Sequence, residues 1–156
     1  MTKPQRWPSV APWDDSLPYQ LRRASQAWTA LWLDRVPDLT NPQFAVLLLL
    51  GQRGPLDQSE LSVLASIDRA TLSVLLDRLQ ARGLVTKAID PANRRRRVVE
   101  LTADGYRRLD AAVNVATGVI DEVRGRFDPN EFQQLVRLLR ALADMFPSDQ
   151  SVRSGV

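Results

Sequence analysis

The stretch from Asp68 to Leu101 constrains the fold of this chain more than any other part of it. It opens with an aspartate, a preferred helix-capping residue, and it contains Gly83, which suits the left-handed residue that follows many helices. The leucines between these two positions follow the spacing of one helical face; they are Leu72, Leu75, Leu76 and Leu79. Two runs typical of β-strands follow at 84–89 and 97–101, with the turn-forming sequence Asp90-Pro-Ala-Asn93 between them. The stretch therefore predicts a helix followed by an arginine-tipped β-hairpin.

Helical patterns lie on both sides of this stretch. The further predicted helices run over about 17–36, 40–53, 57–65, 102–126 and 128–147. Capping sequences open three of them: Thr40-Asn-Pro-Gln43, Asp57-Gln-Ser-Glu60 and Asp128-Pro-Asn-Glu131. Two short helices joined by a tight connection, the second of which begins at Asp68, make a helix-turn-helix. The predicted fold is mainly α with a small β-hairpin wing, in the order of four helices, two strands and two more helices.

Composition limits the chemistry that is available to the chain. Its 156 residues suffice for one domain with a core, and they include no cysteine and no histidine. This composition excludes disulfides, thiolate metal sites and any catalysis that needs an imidazole. No apolar run approaches the roughly 20 residues of a membrane span. We therefore expect a cytoplasmic protein that has no metal, no cofactor and no membrane contact.

Positive charge is concentrated near the hairpin, although the net charge of the whole chain is only +3. With its leucines buried, the helix from Asp68 would expose Arg69, Ala70, Thr71, Ser73, Val74, Asp77 and Arg78. Small residues near a helix N-terminus allow close approach to base edges, and free amides there favour phosphate. The hairpin carries four consecutive arginines, Arg94, Arg95, Arg96 and Arg97. Each feature alone could be an ordinary surface helix or a solvated loop, but together they predict DNA binding, because arginine suits phosphates and narrow minor grooves.

The chain resembles the multiple antibiotic resistance regulator (MarR) family over about Leu17 to Phe146. The family pattern near the second helix matches at Leu39, Thr40, Gln43 and Phe44. The pattern of the reading helix and its end matches at Ala70, Thr71, Leu72, Ser73, Asp77, Arg78, Leu79, Arg82, Gly83, Leu84 and Val85. The wing pattern and its close match at Asp90, Pro91, Ala92, Arg94, Arg95, Leu101, Thr102 and Gly105.

Two positions depart from the family pattern. Asn93 stands where the family usually has an aspartate that is expected to hold a wing arginine, so the resemblance predicts a looser wing here. Lys87 replaces the usual arginine and loses its planar fork. Arg95 matches the family's groove-inserting position, and an Arg95→Ala protein should therefore bind operator more weakly and with a shallower salt dependence.

The resemblance implies a homodimer that binds a palindromic operator in double-stranded DNA and usually represses. The terminal helices would pair between subunits, which fits apolar faces larger than one small domain can cover. The expected divisions are an irregular arm at 1–16, a single domain at 17–146 and a flexible tail at 147–156. Within the domain, the winged helix-turn-helix would span about 40–101, and the dimerisation helices about 17–36 and 102–146.

Such regulators commonly release DNA when a small aromatic acid, or its thioester, binds between the dimerisation helices and the DNA-binding lobe. The predicted first helix offers Arg22, Arg23, Gln26, Trp28 and Trp32. Arginine with tryptophan can accept a carboxylate and a flat ring together. The alternative is that the tryptophans belong to the dimer core and that the arginines are surface residues.

Two other classes of function compete with a DNA-binding regulator. An enzyme is disfavoured, because carboxylates such as Asp14, Asp15, Asp121 and Glu122 lack a nucleophile, a base or a metal partner at a recognisable spacing. A winged-helix module that binds proteins without specific DNA binding is the stronger rival, since that fold also mediates protein contacts. The arginine cluster argues against this rival.

Overall fold

The computed structural model describes residues 13–145, without the side chains of Trp13 and Arg95. The predictions for residues 1–12 of the arm, for Phe146 and for the tail lie outside the described residues. The described part of the arm contains a 3-10 turn at Trp13–Asp15. Within the described chain, no helix combines the length and the apolar character that crossing a membrane requires.

The order of helices and strands confirms a mainly helical fold with a small antiparallel wing. The helices are α1 (Leu17–Arg35), α2 (Asn41–Arg53), α3 (Gln58–Ala65), α4 (Arg69–Ala81), α5 (Ala103–Arg124) and α6 (Pro129–Met145). The strands are β1 (Leu56–Asp57), β2 (Val85–Asp90) and β3 (Asn93–Leu101).

Side-chain caps fix where the central helices begin. The Thr40 Oγ1 accepts a hydrogen bond from the Gln43 amide at 3.4 Å, and the Gln43 side chain accepts one from the Thr40 amide at 3.0 Å. Asp57 caps α3 through the Ser59 amide at 2.8 Å, and Asp68 caps α4 through the Thr71 amide at 2.9 Å. These caps occupy amides that have no partner within their own helix, which is why short polar residues recur at helix starts.

The sheet differs from the sequence prediction in two ways. It has three strands in the order β1-β3-β2, whereas the sequence predicted two. The strand that the sequence did not predict is β1, which pairs Leu56 with Val99. It is only two residues long, too short to show the alternation that identifies a strand. β3 begins at Asn93 rather than at Arg97, so the arginines lie within the strand. A register shift between Ile89 and Asp90 of β2 accompanies this longer strand.

The core joins the helix-turn-helix to α1 and α5. Leu72, Leu76 and Leu79 of α4 are fully buried in one cluster with residues of α2, β3 and α5. Trp32 enters the same cluster from α1, and its indole donates a hydrogen bond to the Leu39 carbonyl at 2.7 Å. α6 differs, because none of its described residues is buried.

Candidate nucleic-acid interface and ligand groove

The outward face of α4 carries most of the predicted reading residues. Arg69, Ala70, Thr71, Asp77 and Arg78 are exposed, and Ser73 is half-buried. Val74 is 52% exposed although it is apolar. An exposed valine beside small and cationic residues can contact a thymine methyl group, which a buried one could not reach. The same face borders a hollow of about 490 Å³ between α4 and the start of α2.

Asp77 differs from its neighbours on this face, because its carboxylate pairs with the ammonium group of Lys87 at the start of the wing. The Lys87 side chain is only 16% exposed, so the pair lies partly inside the angle between α4 and β2. A carboxylate held by a lysine in this way joins the two DNA-binding elements. We therefore interpret Asp77 as a link between α4 and the wing, rather than as a reader of bases.

The wing is held by Arg96, which contacts aspartates of β1 and β2. Arg96 Nε donates to Asp57 Oδ2 at 3.2 Å, and Arg96 Nη1 lies 4.0 Å from Asp90 Oδ2. Burial alone would raise the pKa of Asp57, but hydrogen bonds from the Ser59 amide and from Arg96 outweigh it and lower that pKa. Asp57 thus serves β1, the cap of α3 and the wing at once. The Arg96–Asp57 contact holds the wing without a carboxylate at position 93, where Asn93 led the sequence analysis to predict a looser wing.

The remaining wing arginines differ in what the structure shows of them. Arg94 and Arg97 are exposed, and the side chain of Arg95 lies outside the described residues. Arg97 and Arg69 line a small cleft of about 150 Å³ together with Gln58, Ser59 and Asp57, whose carboxylate pairs with Arg96. Since Arg69 belongs to α4 and Arg97 to β3, guanidinium groups from both DNA-binding elements border the same cleft. Such an arrangement suits the phosphates of one nucleic-acid backbone.

A second groove lies between α1, α5 and α6 and has a cavity volume of about 580 Å³. Its lining is almost wholly apolar and consists of Leu21, Ala24, Ser25, Ala27, Trp28, Leu31, Val123, Phe127, Leu135 and Leu139. The sequence predicted the contribution of Trp28. The groove lies among the dimerisation helices, however, and not between them and the DNA-binding lobe as the sequence predicted. The sequence also did not predict that residues of α5 and α6 line it, because their apolar faces were assigned to dimer contacts alone.

The other predicted ligand residues do not line this groove. Trp32 is 2% exposed and belongs to the core of the protomer. The guanidinium carbons of Arg22 and Arg23 lie 5.3 and 5.6 Å from the centroid of the Tyr19 ring. Gln26 accepts a hydrogen bond from Arg22 at 3.1 Å. One described protomer therefore has an apolar groove with one aromatic side chain, Trp28, beside Phe127 in its lining, and that lining includes no cation.

These elements define a class of protein. α3 and α4 form a helix-turn-helix, and β2 and β3 form a cationic hairpin beside the exposed face of α4. A reading helix flanked by such a hairpin is a winged helix-turn-helix, the arrangement of many DNA-binding regulators.

Comparison with known proteins gives the family. The MarR family model matches residues 39–96. Transcriptional regulator HosA of Escherichia coli O111:H- is 42% identical over 122 residues, which cover 76% of this chain and 90% of HosA. The chain therefore belongs to the MarR family of transcriptional regulators.

Two solved structures are similar over most of this chain. The structure of Bordetella bronchiseptica BpsR, a protein whose DNA binding is regulated by 6-hydroxynicotinic acid, matches with a TM-score of 0.82 and 32% identity over 86% of this chain and 98% of BpsR. The transcriptional repressor CouR, bound to a 23-mer DNA duplex, matches with a TM-score of 0.78 and 30% identity over 83% of this chain and 94% of CouR.

Proposed function

We propose that this protein is a cytoplasmic, homodimeric repressor. It binds a palindromic operator and releases that DNA when a small aromatic acid binds. One observation supports the DNA-binding part above all. The exposed face of α4 and the arginines of β3 present small, apolar and cationic side chains side by side, and cations from both elements border one cleft. The similarity to CouR, solved on a DNA duplex, agrees with this use of the surface. The proposal includes no catalytic step, cofactor or metal.

The surface of α6 supports a dimer. Leu135, Leu138 and Leu139 are 38%, 51% and 47% exposed, although large apolar residues are usually buried in a folded chain. The groove between α1 and α6 continues this surface with apolar walls. A second copy of the chain can cover both. A two-fold dimer would place its two reading helices in successive major grooves, about one helical turn of DNA apart.

The groove also supports an aromatic effector. Trp28 offers a ring for stacking, and BpsR shows that DNA binding by a protein of this fold can be regulated by 6-hydroxynicotinic acid. A carboxylate would still need a cation. We propose that Arg22 or Arg23 supplies it, either after leaving the Tyr19 ring or from the second protomer.

The test starts with the selection of bound sequences from a random duplex library. We expect a palindrome, a dimer by light scattering, and weaker binding in fluorescence anisotropy when an effective aromatic acid is added. A panel with 6-hydroxynicotinic, benzoic and hydroxycinnamic acids would be titrated against the complex, with Trp28→Ala as the variant that loses the response. No enriched sequence would refute the DNA-binding proposal. An enriched palindrome with no response to any acid would refute the effector alone.

A further inference from the structure

Asp38, in the connection between α1 and α2, contacts two distant arginines. Arg108 of α5 donates from Nε to Asp38 Oδ2 at 2.8 Å and makes a second contact from Nη2 to Oδ1. Arg82, at the C-terminal end of α4, lies with Nη2 3.4 Å from Asp38 Oδ2 and donates from Nη1 to the Asp38 carbonyl at 2.6 Å. One residue thus joins the end of the reading helix to a dimerisation helix.

This contact is charged and partly shielded. The side chain of Arg108 is 22% exposed and that of Arg82 is 35% exposed. The hydrogen bond from Arg108 is the main cause that holds the pKa of Asp38 below its ordinary value, so its carboxylate is ionised at neutral pH. A paired Arg–carboxylate contact of this kind fixes direction as well as distance.

The end of α4 has a second attachment, and it lies close to the first. Thr102, just before α5, donates from Oγ1 to the Gly83 carbonyl at 2.6 Å and from its amide to the Leu84 carbonyl at 3.1 Å. These bonds hold the chain just after α4 against the start of α5. The buried leucines of α4 hold the body of the helix in the core, so these bonds and the Asp38 contacts act on the position of its C-terminal end. Asp38 adds a further attachment at this helix end, from the α1–α2 connection.

We propose that Asp38 is a positioning residue: it fixes the angle of α4 against α1 and α5 and thereby sets the operator half-site spacing that the dimer accepts. This inference rests on the proposed binding of a palindrome by a homodimer. One added base pair moves a half-site by about 3.4 Å and turns it by about 35°, because B-DNA has 10–10.5 base pairs per turn. Rigidly held reading helices cannot follow that change, whereas helices free to pivot can follow part of it.

The first test measures binding to operators whose half-sites are moved apart or together by one base pair. The variants are Asp38→Asn, which removes the carboxylate charge that both arginines face, and Arg82→Gln, which removes the guanidinium at the end of α4. The control is Asp104→Asn, because Asp104 pairs only three residues away along α5, with Arg107. We expect the ratio of affinities for the native and shifted spacings to fall, by about threefold or more, in both variants, because pivoting helices follow part of the shift, and to stay unchanged in the control. An equal loss of affinity at every spacing would show a merely structural role and overturn the proposal.

The second test needs no DNA, so it separates this inference from the proposed operator binding. The chain has no cysteine, so Gln80→Cys, on the exposed surface of α4, gives one spin label per protomer. Electron–electron double resonance then measures the distance between the two reading helices of a dimer. We expect a broader distance distribution with Asp38→Asn or Arg82→Gln than with Asp104→Asn. Equal widths in variants that retain native circular dichroism would overturn the proposal, even if operator binding is found.

Discussion

Gly105, in the first turn of α5, is the position at which the addition of one methyl group should do most damage. A Cβ there would lie 2.0 Å from the Leu84 carbonyl oxygen and 3.1 Å from the carbonyl carbon. Ordinary carbon–oxygen contacts begin near 3.3 Å, so Gly105→Ala requires a displacement of more than about 1 Å. Backbone atoms must make this displacement, and the Leu84 carbonyl is itself held by the Thr102 amide.

The magnitude follows from three contributions to the free energy of unfolding. Overpacking against a well-ordered backbone costs about 1–3 kcal/mol, and weakening the Thr102–Leu84 hydrogen bond costs about 1 kcal/mol. Replacing glycine by alanine within a helix stabilises the fold by about 0.5–1 kcal/mol. The expected net loss is about 2 kcal/mol, which corresponds to a Tm lower by roughly 4–8 °C for a chain of this size.

Thermal and urea unfolding followed by circular dichroism measure this loss at a fixed protein concentration, because dimer formation would make Tm depend on concentration. Gly118→Ala is the matched control in the same helix, since a Cβ on Gly118 meets no atom within 4 Å in the described protomer. It should raise stability by about 0.5–1 kcal/mol. The reasoning is refuted if Gly105→Ala unfolds at the wild-type temperature.

Three further predictions concern the wing, the core and acid. Arg94→Ala should reduce the slope of log affinity against log salt by about 0.9, as the loss of one phosphate contact does; Arg96→Ala should weaken operator binding with little change of slope, since Arg96 is held by an aspartate. Trp32→Phe should lower the unfolding free energy by about 1–3 kcal/mol in urea titrations, because it leaves the buried Leu39 carbonyl without its indole donor. The pKa of Asp38 is lowered in the fold, so its contribution to stability is complete above its ordinary value of 3.8 and is lost as pH falls through the lower folded value. Asp38→Asn should therefore flatten the acid limb of the stability profile below about pH 4, and an unchanged limb would contradict the assignment.

Local patterns predicted most of the fold because the relevant interactions lie close together in the sequence. The caps at Thr40, Asp57 and Asp68 join residues two or three positions apart, and the α4 leucines repeat along one helix. The two-residue strand β1 could not be predicted in this way. It forms by pairing with β3, some 40 residues later in the chain, so it depends on a tertiary contact and not on a local sequence pattern.

The candidate site was predicted at the level of faces, but not of contacts. The exposed residues of α4 follow directly from the burial of its leucines, and the arginines of β3 are visible as a run. The sequence does not show that Asp77 is neutralised by Lys87, or that Trp32 turns into the core while Trp28 faces a groove. Such pairings depend on the angles between elements, which a one-dimensional pattern does not contain.

The wing shows what such a long-range pairing changes. Judged by Asn93 alone, this hairpin lacks the acidic residue that would hold it, and a loose wing would lose entropy when it binds DNA. Asp57 supplies the carboxylate from a strand 39 positions away, and Arg96 receives it. Arg96, the fourth residue of β3, is therefore fixed to the start of α3, whereas Arg94, two residues nearer the turn, stays exposed. A wing held at Arg96 keeps its other cations close to the duplex without fixing the angle at which each one enters the groove. Within the run of arginines, Arg96 therefore positions the hairpin, whereas its exposed neighbours are available to bind phosphate.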